Sequence, residues 1–187
     1  MKGNTDLLTD AALNGAESRG AAVEKVKVSK LNIGGCAEFY TCLRAGECSI
    51  RDDMDALYDK LLAADAVIVA APMFFYGPPA QLKAVIDRAQ ATWVRKHVLK
   101  QDIDRGGRAG AFIGVGATSG RRLFEGSQLM MRYFFDAIGV KYGEELLARG
   151  VDKKGEIKDH PELLAQAFQL GERLAAPTTS TGGATSA

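Results

Sequence analysis

The feature that most constrains the fold is a short apolar segment, residues 66–71, which reads Ala-Val-Ile-Val-Ala-Ala. It lies between Asp65 and Pro72 and is rich in β-branched side chains. Such a segment is too short to span a membrane and has the composition of a strand that is covered on both faces. A strand of this kind predicts a parallel sheet with helices packed on either side.

The rest of the chain alternates helical and strand patterns in the same way. We predict a doubly wound parallel α/β sheet of the flavodoxin-like class, in one domain over residues 1–176. Residues 177–187 contain only Pro, Thr, Ser, Gly and Ala, and we expect a disordered tail. The predicted helices cover residues 4–20, 52–64, 80–93, 123–138 and 160–176, and the predicted strands cover residues 23–31, 66–71, 108–116 and 140–148.

Composition excludes several classes of protein. In 187 residues, 24 Lys and Arg balance 23 Asp and Glu, and no block of one sign stands out. We therefore expect no nucleic-acid partner, since binding to phosphates needs a concentrated basic face. The sequence also shows no membrane-spanning run and no secretory signal, and three cysteines suggest thiols or metal ligands rather than a disulfide framework. These observations predict a cytoplasmic protein.

The fold class predicts where a ligand binds. In doubly wound sheets ligands lie outside the carboxyl ends of the strands, so the loops over residues 72–78 and 116–122 are expected to form the walls of the site. A phosphate is expected at the amino end of the first helix. For each element a simpler reading stays open: Asn4 and Thr5 as helix caps, the aromatic residues after Pro72 as core, and the glycine-rich loop as a turn.

Three stretches in register resemble the flavodoxin-like NADPH-dependent FMN reductases and the related iron-sulfur flavoproteins. They are residues 3–8 (GNTDLL), the cysteine segment 35–54, and residues 71–88 (APMFFYGPPAQLKAVIDR), which are the most specific. Together with the GATSG sequence at 116–120 and YFFD at 133–136, the resemblance covers residues 3 to about 148.

The resemblance implies an oxidoreductase that binds FMN non-covalently, takes electrons from NADPH or NADH, and passes them to an acceptor. It further implies a homodimer with the flavin near the interface. Because the flavin carries the redox chemistry, no catalytic acid or base is assigned. The residues implied in cofactor binding are Gly3, Asn4, Thr5, Pro72, Met73, Phe74, Phe75, Tyr76, Gly77, Gly116, Ala117, Thr118, Ser119 and Gly120.

The cysteine segment departs from the family pattern of four cysteines. Cys36, Cys42 and Cys48 match three of those places, but Phe39 stands at the second. Since a [4Fe-4S] cluster normally takes four thiolates, we expect cluster loss and assign no metal. A three-thiolate cluster, a zinc site, or thiols that merely remain in a packed loop are the alternatives.

The second departure concerns the start of the chain. The family begins with an apolar strand and a Gly-Ser-Pro-Arg type loop, whereas only Met1 and Lys2 precede Gly3 here. We expect the coding sequence to continue upstream of Met1. Two other functions stay open at this stage: a flavodoxin-type electron carrier without enzymatic activity, and a degenerate domain that binds no flavin.

Overall fold

The computed structural model describes residues 2–176 of the protein, and the predicted tail at 177–187 lies outside this range. The helices are α1 (Asn4–Ser18), α2 (Cys42–Ala45), α3 (Met54–Ala63), α4 (Ala80–Arg88), α5 (Gln90–His97), α6 (Glu125–Ala137) and α7 (Pro161–Ala175). The strands are β1 (Ala66–Pro72), β2 (Ala109–Gly116) and β3 (Lys141–Arg149). Two short 3-10 turns lie at Val28–Lys30 and Glu156–Asp159.

The three strands form one parallel sheet in the order β1-β2-β3. The register pairs Ala66 with Ala109 at one end of β1 and Pro72 with Val115 at the other. Within residues 2–176, β1 pairs with β2 alone. The sheet is therefore parallel and open, as the sequence predicts.

Two apolar cores cover the two faces of the sheet. Phe112, Phe134 and Phe135 belong to the core beneath α3, α4 and α6. On the opposite face, α1 and α7 pack on the sheet and on each other. A Cβ at Gly15 or Gly171 would lie within 2 Å of a backbone oxygen of the facing helix, so the close contact of these helices requires glycine at both positions.

Three local predictions are wrong. Residues 23–31 do not form a strand. They are irregular, with a 3-10 turn at Val28–Lys30, and the Lys25 side chain forms ion pairs with Asp6 and Asp10 on α1. The helix predicted over residues 80–93 is two helices that meet at Ala89, and the second continues to His97. The α1 cap is Gly3, with no side-chain cap from Asn4 or Thr5.

Buried Arg108 closes the amino-terminal edge of the sheet. Its guanidinium donates to the carbonyl oxygens of Ala64 (2.8 Å), Ile138 (2.6 Å) and Leu61, which lie at the ends of α3 and α6. Burial lowers the pKa of Arg108.

None of the helices in residues 2–176 combines the length and the apolar character that crossing a bilayer requires.

Candidate functional site

The carboxyl-terminal edge of the sheet brings the predicted loops together. β1 and β2 end at Pro72 and Gly116, and each continues directly into a predicted site loop. The amino end of α1 reaches the same edge, because the Asn4 side chain binds the segment that follows β3. Its amide nitrogen donates to Lys153 O (2.9 Å), and its oxygen accepts from the amide of Gly155 (2.9 Å).

Residues 74–77, which we call the aromatic turn, are strained and exposed. The Phe74 and Gly77 backbones bond to each other in both directions, at 2.8 and 3.0 Å. Between them, Phe75 and Tyr76 have φ values of +50° and +64°, a region that costs bulky residues about 1 to 3 kcal/mol each. The Phe75 side chain is fully exposed, and Phe74 and Tyr76 are more than half exposed. The alternative that these aromatics belong to the core is therefore wrong.

Tyr76 joins the aromatic turn to the glycine loop, residues 116–120. A Cβ added to Gly120 would lie 3.4 Å from the Tyr76 hydroxyl oxygen. A Cβ added to Gly126, on α6, would lie 3.2 Å from the Tyr76 carbonyl oxygen. On the core side of the turn, the Ser127 hydroxyl donates to Met73 Sδ at 3.1 Å. The two loops thus form adjoining walls of one surface.

Arg149 supports the glycine loop from β3, and sequence reasoning missed it. Its guanidinium donates to Gly120 O at 2.5 Å and lies over the Phe124 ring, 4.7 Å from the centroid. The next residues continue this support, since the amide of Gly150 donates to Thr118 O (3.2 Å) and that of Val151 to Gly116 O (3.1 Å). A lone arginine at a strand end carries no sequence signal for this role.

The first turn of α1 supplies backbone donors at this edge. The helix begins without a side-chain cap, and the first amides of a helix have no partner within it. These amides and the partial positive charge of the helix end suit a phosphate. The Asn4 side chain is hydrogen-bonded to residues 153–157, so Asn4 can contribute only its backbone amide.

Asp6 lies in the same first turn of α1. Hydrogen bonds from Lys25 and Lys27 lower the pKa of Asp6 to about 2, so its carboxylate stays ionised.

The three cysteines lie in the segment that precedes α3, and Cys42 is the first residue of α2. Cys36 is exposed, whereas Cys42 and Cys48 are partly buried against the core. Burial raises the pKa of the Cys42 thiol, and Cys36 and Cys48 raise it further. Within the described residues, no three Cys, His, Asp or Glu side chains converge as a metal site would require.

Two cavities lie outside this edge. One, of about 680 Å³, is lined by charged residues at the amino ends of β2 and β3, including Lys96, Arg132 and Asp136. The other, of about 460 Å³, lies between α4, α5 and α6 and reaches the site only at Gly126. Neither of these two cavities is lined by residues 72–77 or 116–120, so we place the candidate site at the carboxyl edge from the geometry of those loops.

An open parallel sheet, with strained aromatics and a glycine loop at its carboxyl edge, defines a flavodoxin-like α/β protein. The family model "NADPH-dependent FMN reductase" matches residues 1–145. The chain therefore belongs to the NADPH-dependent FMN reductase family and is an FMN-dependent NAD(P)H oxidoreductase.

Similar proteins point to the same family. An iron-sulfur flavoprotein of Archaeoglobus fulgidus is 34% identical over 92% of this chain and 73% of its own length. An iron-sulfur flavoprotein of Methanosarcina thermophila is 36% identical over 62% of this chain, which spans only 57% of that relative. The NAD(P)H:quinone oxidoreductase structure from Methanothermobacter marburgensis superposes with a TM-score of 0.68, 19% identity, and coverage of 93% and 90%. That structure supports the fold.

Proposed function

We propose that this protein transfers electrons from a reduced nicotinamide to a small acceptor through FMN bound at the carboxyl edge of the sheet. The observation that supports it best is the aromatic turn. Phe75 and Tyr76 are bulky residues in a strained conformation, and their rings are exposed. This arrangement costs stability in the free protein, and such strain clusters where a ligand contacts the strained residues. Strain of this kind is typical of ligand-binding loops.

The proposed contacts follow from the geometry. The backbone amides of Asn4 and Thr5, with Gly3 before them, hold the phosphate of FMN at the start of α1. Residues 72–77 pack against one side of the ring system, and residues 116–120 line another side with backbone. When bound, FMN supplies the redox chemistry, and the protein positions it and limits access.

Purified protein tests this proposal directly. We expect a yellow sample whose flavin absorbance bleaches with NADPH or NADH under anaerobic conditions and returns when a quinone or free flavin is added. A yellow protein inert to both nicotinamides would instead support an electron carrier. A colourless protein that takes up no added FMN would contradict the proposal and support a flavin-free domain.

We also propose a homodimer that forms through the face of α5 and α6. Trp93, Leu129 and Tyr133 are exposed on this face and line the cavity of about 460 Å³. Exposed apolar surface of this kind is typical of interfaces. Sedimentation of the wild type should give twice the chain mass, and Tyr133→Glu should give the monomer. A monomeric wild type at micromolar concentration would contradict the dimer.

The cytosol is the compartment we propose for this protein. Its three cysteines are free thiols in the structure, and a reducing compartment keeps thiols in that state. Fluorescence microscopy of a tagged full-length protein in its host cell tests the location, and signal confined to another compartment would contradict it.

A further inference from the structure

The relatives named iron-sulfur flavoproteins raise the question of what the cysteine segment does here. We define the cysteine loop as residues 35–49, which run between Gly34 and Ile50. The chain holds three cysteines in all, one fewer than a [4Fe-4S] cluster normally takes. Within residues 2–176, the thiols form no group of three metal ligands with each other or with a His, Asp or Glu side chain. The donor set therefore does not fit the cluster.

A buried guanidinium holds both ends of this loop. The Arg88 side chain is fully buried, and its Nη1 donates to Gly34 O at 3.1 Å while its Nη2 donates to Ile50 O at 3.0 Å. Gly34 and Ile50 are the residues that flank the cysteine loop. One side chain from α4 thus closes a loop of 15 residues.

Asp52 completes this clamp from the other side. Its carboxylate pairs with Arg88 at 2.8 Å and accepts from the amides of Gly34 (2.9 Å) and Met54 (3.0 Å). Burial acts to raise the pKa of Asp52, but the hydrogen bonds from Arg88 and from the two amides outweigh it and lower the pKa. The buried guanidinium therefore faces an ionised partner. We call Arg88, Asp52 and the two loop ends the Arg88 clamp.

Further contacts hold the middle of the loop without any thiol. Arg95 on α5 donates to Gly46 O at 2.7 Å, and the Thr41 hydroxyl donates to Ser49 Oγ at 3.1 Å. Gly46 has a φ of +70°, and a Cβ there would lie 2.5 Å from the Arg95 side chain. The loop conformation is thus specified by hydrogen bonds and packing between protein groups.

From these contacts we infer that the cysteine loop of this chain is a metal-independent structural element, held by the Arg88 clamp in place of an iron-sulfur cluster. Arg88 is the last residue of α4, the helix that follows the aromatic turn, so the clamp fastens the loop to this helix. The chain then folds and binds FMN without iron or sulfide. The statement about FMN rests on the proposed function, whereas the statement about the loop does not.

The first test is metal content. Wild-type protein purified anaerobically, then incubated with ferrous iron, sulfide and a thiol reductant, should retain far less than stoichiometric iron and acid-labile sulfide. Its visible spectrum should show flavin alone. A stoichiometric cluster that is lost in the variant with Cys36→Ser, Cys42→Ser and Cys48→Ser would overturn the inference.

The second test is amide hydrogen exchange in residues 35–49. Arg88→Met should accelerate it by on the order of a hundredfold, because a buried carboxylate loses its partner. The triple serine variant should exchange far more slowly than Arg88→Met, because it keeps the clamp and changes only the packing of two partly buried side chains. Lys83→Met is the matched control, since it removes an exposed ion pair with Asp87 on the same helix and should change nothing.

The outcomes separate the two claims. If Arg88→Met does not fold, Asp52→Asn tests the clamp, since the amide oxygen can still accept from Gly34 while the charge is lost. Faster exchange in the triple serine variant than in either clamp variant would overturn the inference. A wild type that binds no FMN but keeps a protected loop would contradict the proposed function and leave the clamp standing.

Discussion

The two edges of the sheet satisfy their polar groups in opposite ways. At the amino-terminal edge, Arg108 is buried and donates to carbonyl oxygens at the ends of α3 and α6. At the carboxyl edge, the first amides of α1 have no partner within the helix, and Phe75 and Tyr76 adopt a strained conformation with exposed rings. Because strain and free donors cost stability, they support the proposal that the carboxyl edge binds the flavin, while the amino edge stabilises the fold.

The largest expected effect is at the amino edge. Arg108→Met should lower the free energy of unfolding by about 3 kcal/mol or more, since the carbonyl oxygens of Leu61, Ala64 and Ile138 lose the same buried guanidinium at once. Urea unfolding measures this loss. The FMN dissociation constant of the folded protein should stay unchanged, because the site is at the other edge.

Arg105→Met is the control for that variant. Arg105 is exposed and also donates to the Ala64 carbonyl oxygen, at 3.1 Å, so its loss should cost under about 1 kcal/mol. Weakened FMN binding in Arg108→Met would break the separation between the two edges.

A smaller effect is expected where the glycine loop begins. A Cβ at Gly116 would lie 2.4 Å from Leu123 Cδ2, so Gly116→Ala should cost about 1 to 3 kcal/mol of stability and displace the loop. Unlike Arg108→Met, this variant should also weaken FMN binding, which fluorescence titration measures. Gly143→Ala on β3 has open space around the added methyl group and should change neither quantity.

The aromatic turn gives the sharpest contrast between stability and binding. Tyr76→Gly should raise the free energy of unfolding by about 1 kcal/mol, since glycine adopts positive φ without strain. It should weaken FMN binding by about tenfold, because an aromatic contact is lost. Thermal unfolding measures the gain in stability, and FMN titration measures the loss of affinity.

Tyr40→Gly is the matched control for the turn. Tyr40 has a similar φ of +56° but lies in the cysteine loop. It should gain similar stability at unchanged FMN affinity. Equal loss of affinity in both variants would show that Tyr76 acts through stability and not through contact.

The smallest effect concerns pH. The pKa of Asp6 is lowered from its usual 3.8 to about 2, so its pairing stabilises the fold above pH 4 and the contribution disappears as the pH falls to 2. With Lys27 exposed and screened by salt, we expect about 1 kcal/mol. The stability difference between the wild type and Asp6→Asn should shrink as the pH falls towards 2 and vanish below it. A difference that persists there would show that Asp6 acts by packing rather than charge.

The local pattern predicted the framework closely. β1 and β3 lie within a residue of their predicted bounds, and α7 begins at Pro161 as its sequence indicates. Residues 23–31 mislead because their valines suit a strand, yet strand formation needs a partner that local sequence does not reveal. Ala89 interrupts a helix whose apolar period continues through it, so periodicity could not predict the break.

What the sequence by itself determined is the class of fold and the position of the two predicted loops at the carboxyl edge of the sheet. Apolar period and loop position are local properties of the chain, and they carry this information directly. Only the tertiary structure decided that Asn4 binds residues 153–157, that Arg149 supports the glycine loop, and that Arg88 closes the cysteine loop. These contacts join residues 29 to 153 positions apart, and their partners meet only after the chain has folded.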